Sequence, residues 1–318
     1  MKKFLSVLLI VALLFSMAAC AGAGAKNDKF VGISMPTQDL QRWNQDGANM
    51  KEKFEAAGFK VDLQYANNEV ATQVSQIENM ISAGVKVLVI AAIDGKTLTQ
   101  VLGTAKEAGI SVIAYDRLIM DTDAVNYYCT FDNYMVGTIQ GTYIKDQLKL
   151  DEGGSYNIEI TGGDPADNNA LYFYQGAIDV LQPYIDSGVL TVVSGQTKFE
   201  EVATPAWSTE TSQARMEAIL ASFYADGTQL DACLCSNDST AKGVTNALAS
   251  SYTGKYPIVT GQDCDIVNTK DIIAGKQSMS IFKDTRTLAA QTVTMVSDIF
   301  AGKTPETNDN ESYDNGTG

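Results

Sequence analysis

The chain has 318 residues, a formal net charge of −15 and no histidine. An acidic balance without a basic patch excludes a protein that tracks nucleic-acid phosphates. The missing histidine removes the Ser-His-Asp triad, the usual general base and most zinc sites together, so neither a metal nor another cofactor is expected.

From the N-terminus, Lys2 and Lys3 precede an apolar stretch, Phe4 to Ala19. It has the length of a signal-peptide core and falls short of the ~20 apolar residues of a spanning helix. The stretch ends Met17-Ala18-Ala19-Cys20, and small residues before a cysteine resemble a bacterial lipobox. That resemblance implies cleavage before Cys20 and lipidation of Cys20. Residues 1–20 would then be a lipoprotein signal peptide and 21–29 a tether, holding a soluble domain at a membrane surface. The alternative is an ordinary signal peptide with an incidental cysteine. Beyond the leader about 300 residues remain, enough for two domains of ordinary size.

The first half repeats itself. Ala57-Gly58-Phe59, Ala83-Gly84-Val85 and Ala108-Gly109-Ile110 each close a helical pattern and open an apolar run. Glycine is expected just past a helix C-terminus, where φ turns positive. Val70, Val74, Ile77 and Ile81 share one helical face, and Leu98, Val101, Leu102 and Ala105 share another. The run from Val85 to Ile93 is nearly continuous in apolar residues, as buried parallel strands are. Residues 30–117 therefore read as consecutive βαβ units.

A second series comes next, with helices predicted over Gly137–Leu150, Ala170–Tyr184, Thr211–Tyr224 and Ser239–Ser250. Strands are predicted at Tyr156–Thr161, Val189–Ser194, Ala232–Ser236 and Ile258–Gly261. Val125–Asp132 reads as a link to a second lobe and Ser278–Lys283 as the return, because the helix Thr285–Phe300 needs a sheet to pack on. The predicted fold is α/β, two doubly wound parallel-sheet lobes joined by a hinge. The N-lobe spans 30–131 plus 283–318 and the C-lobe 132–282. Cys233 and Cys235 fall on one face of a strand and read as buried free thiols.

Five apolar runs stop at polar knots: AAIDG at 91–95, AYDR at 114–117, GGDPADNN at 162–169, SND at 236–238 and GQD at 261–263. In open α/β sheets ligands bind just outside the carboxyl ends of strands. Asp94 of the first knot reads instead as a cap of the helix after it.

Taken with SQIENMISAGVKVLVI (75–90), FDN (131–133) and IFKD (281–284), these motifs run in the order found in a known group. The chain resembles the periplasmic sugar-binding proteins of ABC importers, of the xylose-binding and multiple-sugar-binding type. The resemblance implies a monosaccharide such as xylose or glucose held between two lobes, a permease as partner, an extracytoplasmic monomer and no catalysis. It also implies that a third crossing and a last N-lobe element lie beyond Gly318, leaving that lobe incomplete.

By the same resemblance, Arg42 donates to sugar hydroxyls and Trp43 stacks on the ring; Gln41 stands where the family has Glu, so its role is open. Asp116 and Arg117 act as acceptor and donor. Asn169 is a ligand, while Asp167 and Asn168 either support it or cap the helix that starts there. Trp207 is the second stacking ring, Asn237 and Asp263 complete the C-lobe set beside Gln262, and Lys283 reaches in from the hinge. Asp238 reads as the cap of the next helix. These types suit a polyol: Asp accepts, Arg and Lys donate, Asn does both, and indoles cover C–H faces.

A glycosidase would use two carboxylates, but these acids stand beside Arg and Asn, which suits permanent acceptors better than a general acid. A sugar-responsive repressor would need a DNA-reading helix pair where the leader stands. A sensor that presents its closed form to a membrane signalling receptor remains the alternative to transport.

Overall fold

A computed structural model describes residues 29–310 and 313–317. The leader, Cys20 and nearly all of the tether lie outside the described residues. The first lobe is a five-stranded parallel sheet in the order β2-β1-β3-β4-β5. Its strands are β1 (Phe30–Met35), β2 (Lys60–Tyr65), β3 (Val87–Ile90), β4 (Ser111–Tyr115) and β5 (Tyr127–Cys129). Helices α1 (Gln41–Ala56), α2 (Val70–Ser82) and α3 (Thr99–Glu107) cross between them. Every residue of β1 and β3 is buried, which is why those runs lack polar alternation. Gly58, Gly84 and Gly109 take φ of 79°, 86° and 69°, the left-handed turn that lets each helix stop and a strand begin.

The second lobe is a four-stranded parallel sheet, β7-β6-β8-β9. Its strands are β6 (Tyr156–Thr161), β7 (Leu190–Val192), β8 (Ala232–Cys235) and β9 (Ile258–Val259). Around it pack α4 (Asn133–Leu148), α5 (Asn168–Asp186), the short α6 (Phe199–Val202), α7 (Thr209–Phe223), α8 (Asp238–Ser251) and α9 (Ile266–Ile273). The chain then returns through α10 (Thr285–Phe300), which packs on α1 of the first lobe. The expected class, two doubly wound parallel sheets, is therefore the observed one.

Each sheet has an apolar cluster on either face, and a fifth cluster joins the lobes. The fifth holds Val136, Ala170, Phe173 and Trp207, with Leu40 and Ile281 packed against it. Helices α4 and α5 approach so closely that only glycine fits at three points. A Cβ on Gly137 would overlap the Phe173 carbonyl oxygen, one on Gly176 the Tyr134 carbonyl oxygen, and one on Gly141 would stand 2.7 Å from the Ala177 oxygen.

Two local readings are sharpened and one is corrected. The linking run Val125–Asp132 contains the edge strand Tyr127–Cys129, which pairs with β4. The return run makes a single bridge, from Ile281 to Gln262. Asp94 closes a turn, its Oδ1 accepting the Lys96 N–H at 2.8 Å, and Leu98 occupies the cap position of α3. Residues 313–317 rest against both lobes. The Tyr313 ring stands edge-on to Tyr128 of β5 (5.1 Å) and Tyr172 of α5 (5.6 Å), and Asn315 donates to the Thr122 carbonyl at 2.9 Å.

Candidate functional site

In both sheets consecutive strands swing to opposite sides of the first one, β2 and β3 around β1, β7 and β8 around β6. Loops diverge at such points and leave a crevice at the carboxyl ends of the strands. The two crevices face each other. One cavity is lined from the first lobe by Leu40, Arg42, Trp43, Asp116 and Arg117. From the second it is lined by Asp167, Phe173, Trp207, Asn237, Ser239, Gln262, Asp263 and Asp265, with Lys283 from the return run.

Arg42 and Trp43 stand in the first turn of α1, directly after the β1 loop. The buried guanidinium holds three carboxylates: Asp46 one turn along α1 (3.0 Å), Asp116 at the end of β4, and Asp263 of the opposite lobe (3.7 Å). Burial alone would lower its pKa; Asp116, Asp46 and Asp263 reverse that and raise it well above the ordinary arginine value. Burial alone would likewise raise the Asp116 carboxyl, and Arg42 with Lys283 holds it below the usual range instead. Both guanidiniums lie over Trp43, with Arg42 Cζ 4.7 Å and Arg117 Cζ 5.0 Å from the ring centre.

Asp116 and Asp263 share an unusual backbone, with φ of 62° and 95°. Left-handed geometry is costly for a residue with a Cβ and persists where surroundings enforce it. At Asp116 the enforcement is visible. Its carbonyl accepts from Tyr128 Oη (2.8 Å), Thr130 Oγ1 (2.9 Å) and Asn169 Nδ2 (2.9 Å). The sharp turn at each strand end puts Asp116 and Asp263, one from each lobe, on the cavity wall.

On the second lobe Trp207 is buried over Gly163, where any Cβ would strike the indole, and its Nε1 donates to Asp167 Oδ2 at 3.2 Å. The same Asp167 oxygen is ion-paired with Arg117 Nε across the lobes at 2.9 Å. Lys283 is buried 3.4 Å from Asp263 Oδ1. Gln262 Oε1, Asp263 Oδ1 and Asp265 Oδ1 are buried without a hydrogen-bond partner among the described residues. All three belong to residues lining the cavity; Asp263 Oδ1 is ion-paired with Arg42 and Lys283, whereas Gln262 Oε1 and Asp265 Oδ1 have neither kind of partner among the described residues.

A model of the periplasmic binding protein domain matches residues 31–304. The chain belongs to the periplasmic binding protein family. The family's type I fold accounts for the two parallel sheets and their crossing runs. The chain is 49% identical to the multiple sugar-binding periplasmic receptor ChvE of Rhizobium radiobacter, over 99% of this chain and 90% of that one. It is 38% identical to the D-xylose-binding periplasmic protein of Escherichia coli, over 89% of this chain and 81% of that one. Among solved structures it resembles an ABC transporter solute-binding protein from Clostridium phytofermentans with bound β-D-glucose. That match has 66% identity and a TM-score of 0.90, covering 91% of this chain and 90% of the other.

In this periplasmic binding protein, the residues expected from the sequence meet at one place, apart from Asn168 and Asn169. Asn169 lies one contact behind the wall, donating to Asp116 and accepting from Asn133 Nδ2 at 3.0 Å. Asn168 points to Met120 of the first lobe, 3.3 Å from its sulfur. Asp167 caps α5, accepting the Asn169 N–H at 3.0 Å, and lines the cavity as well. Asp116 and Arg117 do not pair with each other; each bonds a partner elsewhere. One assignment is reversed. Asn237, not Asp238, caps α8, its Oδ1 accepting the Thr240 N–H at 2.9 Å. Asp238 turns inward and accepts from Gln277 Nε2, Ser280 Oγ and the Asp265 N–H, each at 2.9 Å. Gln41, left open by the sequence, accepts the Ile266 N–H across the lobes at 3.3 Å. Leu40, Phe173, Ser239 and Asp265 join the wall with no motif to announce them.

Burial pushes the carboxyls of Asp238 and Asp265 up to about 7. An acid whose folded pKa is raised binds its proton more tightly in the folded state. Its stabilising contribution is full below the unfolded value near 4 and disappears as pH rises through about 7. The melting temperature of the sugar-free protein should therefore fall between pH 5.5 and pH 8, with a shallower fall in Asp238→Asn. Calorimetry across that range checks it, and a flat or rising profile would refute it.

Proposed function

We propose that this protein captures a neutral monosaccharide, a pentose or hexose such as xylose or glucose, between its lobes and delivers it to an ABC importer. The observation that carries the reading is the composition of one wall. Two indoles, three cations and several carboxylates from both lobes converge on a single cavity. Hydroxyls of a sugar would meet those charged groups, and hydrogen bonds to charged groups contribute ~1.5–3 kcal/mol each. Arg42, Trp43, Asp116, Arg117, Trp207, Asn237, Asp263 and Lys283 form the proposed contact set, with Asn169 positioning Asp116. The glucose-bound solute-binding protein at 66% identity supports the sugar class.

In this reading the lobes are 30–131 with 283–318, and 132–282, and a sugar that touches both favours the closed arrangement. The protein acts outside the cytoplasm as a monomer, held to the membrane by lipid on Cys20 and working without turnover. A second reading, a sugar sensor that presents its closed form to a membrane signalling receptor, is favoured by the relative named a receptor. Deleting a neighbouring permease gene and measuring uptake separates the two.

The chain has two tryptophans, and both line the cavity. Their fluorescence should therefore change saturably with D-glucose or D-xylose. Titration with a panel of pentoses and hexoses tests this, and no response to any of them would refute sugar capture.

A further inference from the structure

We propose that Asp265 is a specificity-determining residue that makes the cleft prefer neutral over anionic monosaccharides. The inference rests on the sugar-binding reading and names the ligand class more narrowly. Every cation on the cavity wall is already committed: Arg42 to Asp46, Asp116 and Asp263, Arg117 to Asp167, and Lys283 to Asp263. Asp265 alone among the wall carboxylates has no ion-pair partner among the described residues, and its Oδ1 has no hydrogen-bond partner there. The groups that act on it are few. Arg42 faces it from α1, Asp263 and Cys264 precede it on its own segment, and Asp238 of α8 accepts its backbone N–H at 2.9 Å.

A ligand hydroxyl brings a proton that it can donate to a carboxylate on the cavity wall, where Asp265 stands. A ligand carboxylate brings no proton to donate and meets like charge, with no uncommitted cation to offset it. Like charges that close in a partly buried site are expected to cost roughly 100-fold in affinity. Burial, reinforced by Asp263 and opposed by Arg42, pushes the Asp265 carboxyl up to about 7, so the repulsion should switch on across neutral pH.

The test compares D-glucose with D-glucuronate by calorimetric titration. At pH 8 the unmodified protein should bind glucose roughly 100-fold more tightly. In Asp265→Asn that ratio should shrink at least roughly tenfold, and because a ratio is read, a general loss of affinity cancels. The unmodified protein gives an independent check. Its ratio should widen from pH 5.5 to pH 8.5, a range in which glucuronate stays ionised. Equal binding of the two sugars at pH 8, a ratio unchanged by Asp265→Asn, or a ratio independent of pH would each overturn the proposal. If glucose binds without charge discrimination, sugar capture stands and only this proposal falls. If neither glucose nor any other monosaccharide binds, both fall.

Discussion

Arg42→Met should abolish ligand capture and lower the melting temperature by roughly 10 °C. The side chain is buried and holds Asp46, Asp116 and Asp263, which come from α1, the end of β4 and the opposite lobe. Methionine fills similar volume but leaves three carboxylates facing one another. Removing one partner of a buried ion pair costs ~3–5 kcal/mol, and each kcal/mol shifts a domain of this size by ~2–4 °C. The carboxylates would relieve the repulsion by taking up protons, so the defect should lessen as pH is lowered towards 5. Arg42→Lys should fall between. It keeps a charge, but a compact ammonium lacks the fork that reaches three acceptors. Thermal unfolding and tryptophan titration at two pH values check these outcomes. A melting temperature for Arg42→Met within about 2 °C of the unmodified protein would show that Arg42 does not hold the cluster.

The second large effect comes from a single methyl group. Gly137→Ala places a Cβ on the Phe173 carbonyl oxygen, and backbone on both sides leaves nothing flexible to yield. Overpacking costs ~1–3 kcal/mol, and a clash of helix on helix belongs at the top of that range. The expected loss is roughly 5–10 °C. The clash also displaces α5, which carries Phe173 and Asp167 on the cavity wall and Asn169 behind it. Affinity should therefore fall with stability. Gly103→Ala is the matching control, because nothing lies within 4 Å of its Cβ position in α3. There the helix should gain ~0.5–1 kcal/mol, so the same substitution has opposite signs at the two sites. Equal melting temperatures for the two variants would refute the close-packing account.

Strands announced themselves in this chain because burial on both faces strips a parallel strand of polar residues, as in β1 and β3. Helix ends were visible because Gly58, Gly84 and Gly109 mark left-handed turns that other residues avoid. Site residues could be found where a strand end delivers them, as at Asp116, Asn237 and Asp263. Four kinds of information were hidden. The left-handed φ of Asp116 and Asp263 leaves no trace in residue type, since aspartate mostly takes negative φ and nothing marks the two that do not. Around Asp167-Asn168-Asn169 a shift of one position turns a side chain by about 100° around the helix, so composition could not decide which faced the cavity. Asn237 and Asp238 are both good caps, and only the path of α8 decided between them. Phe173 and Asp265 reach the wall from a helix and a loop after the strand-end knots, beyond any strand-end rule.

Several contacts run from lobe to lobe within the protein itself, some of them at the cavity wall. Arg117 holds Asp167, Asn169 donates to the Asp116 carbonyl, Gln41 accepts the Ile266 N–H, and the Gly95 N–H meets the Ala166 carbonyl. Contacts of this kind hold the halves together whatever occupies the space between them. In the proposed closure cycle they would favour the shut arrangement without ligand, and a downstream partner that recognises shape alone would then register a background as well as a signal. Weakening one such bond at the rim would lower that background and widen the response range, at the expense of sensitivity to scarce nutrient.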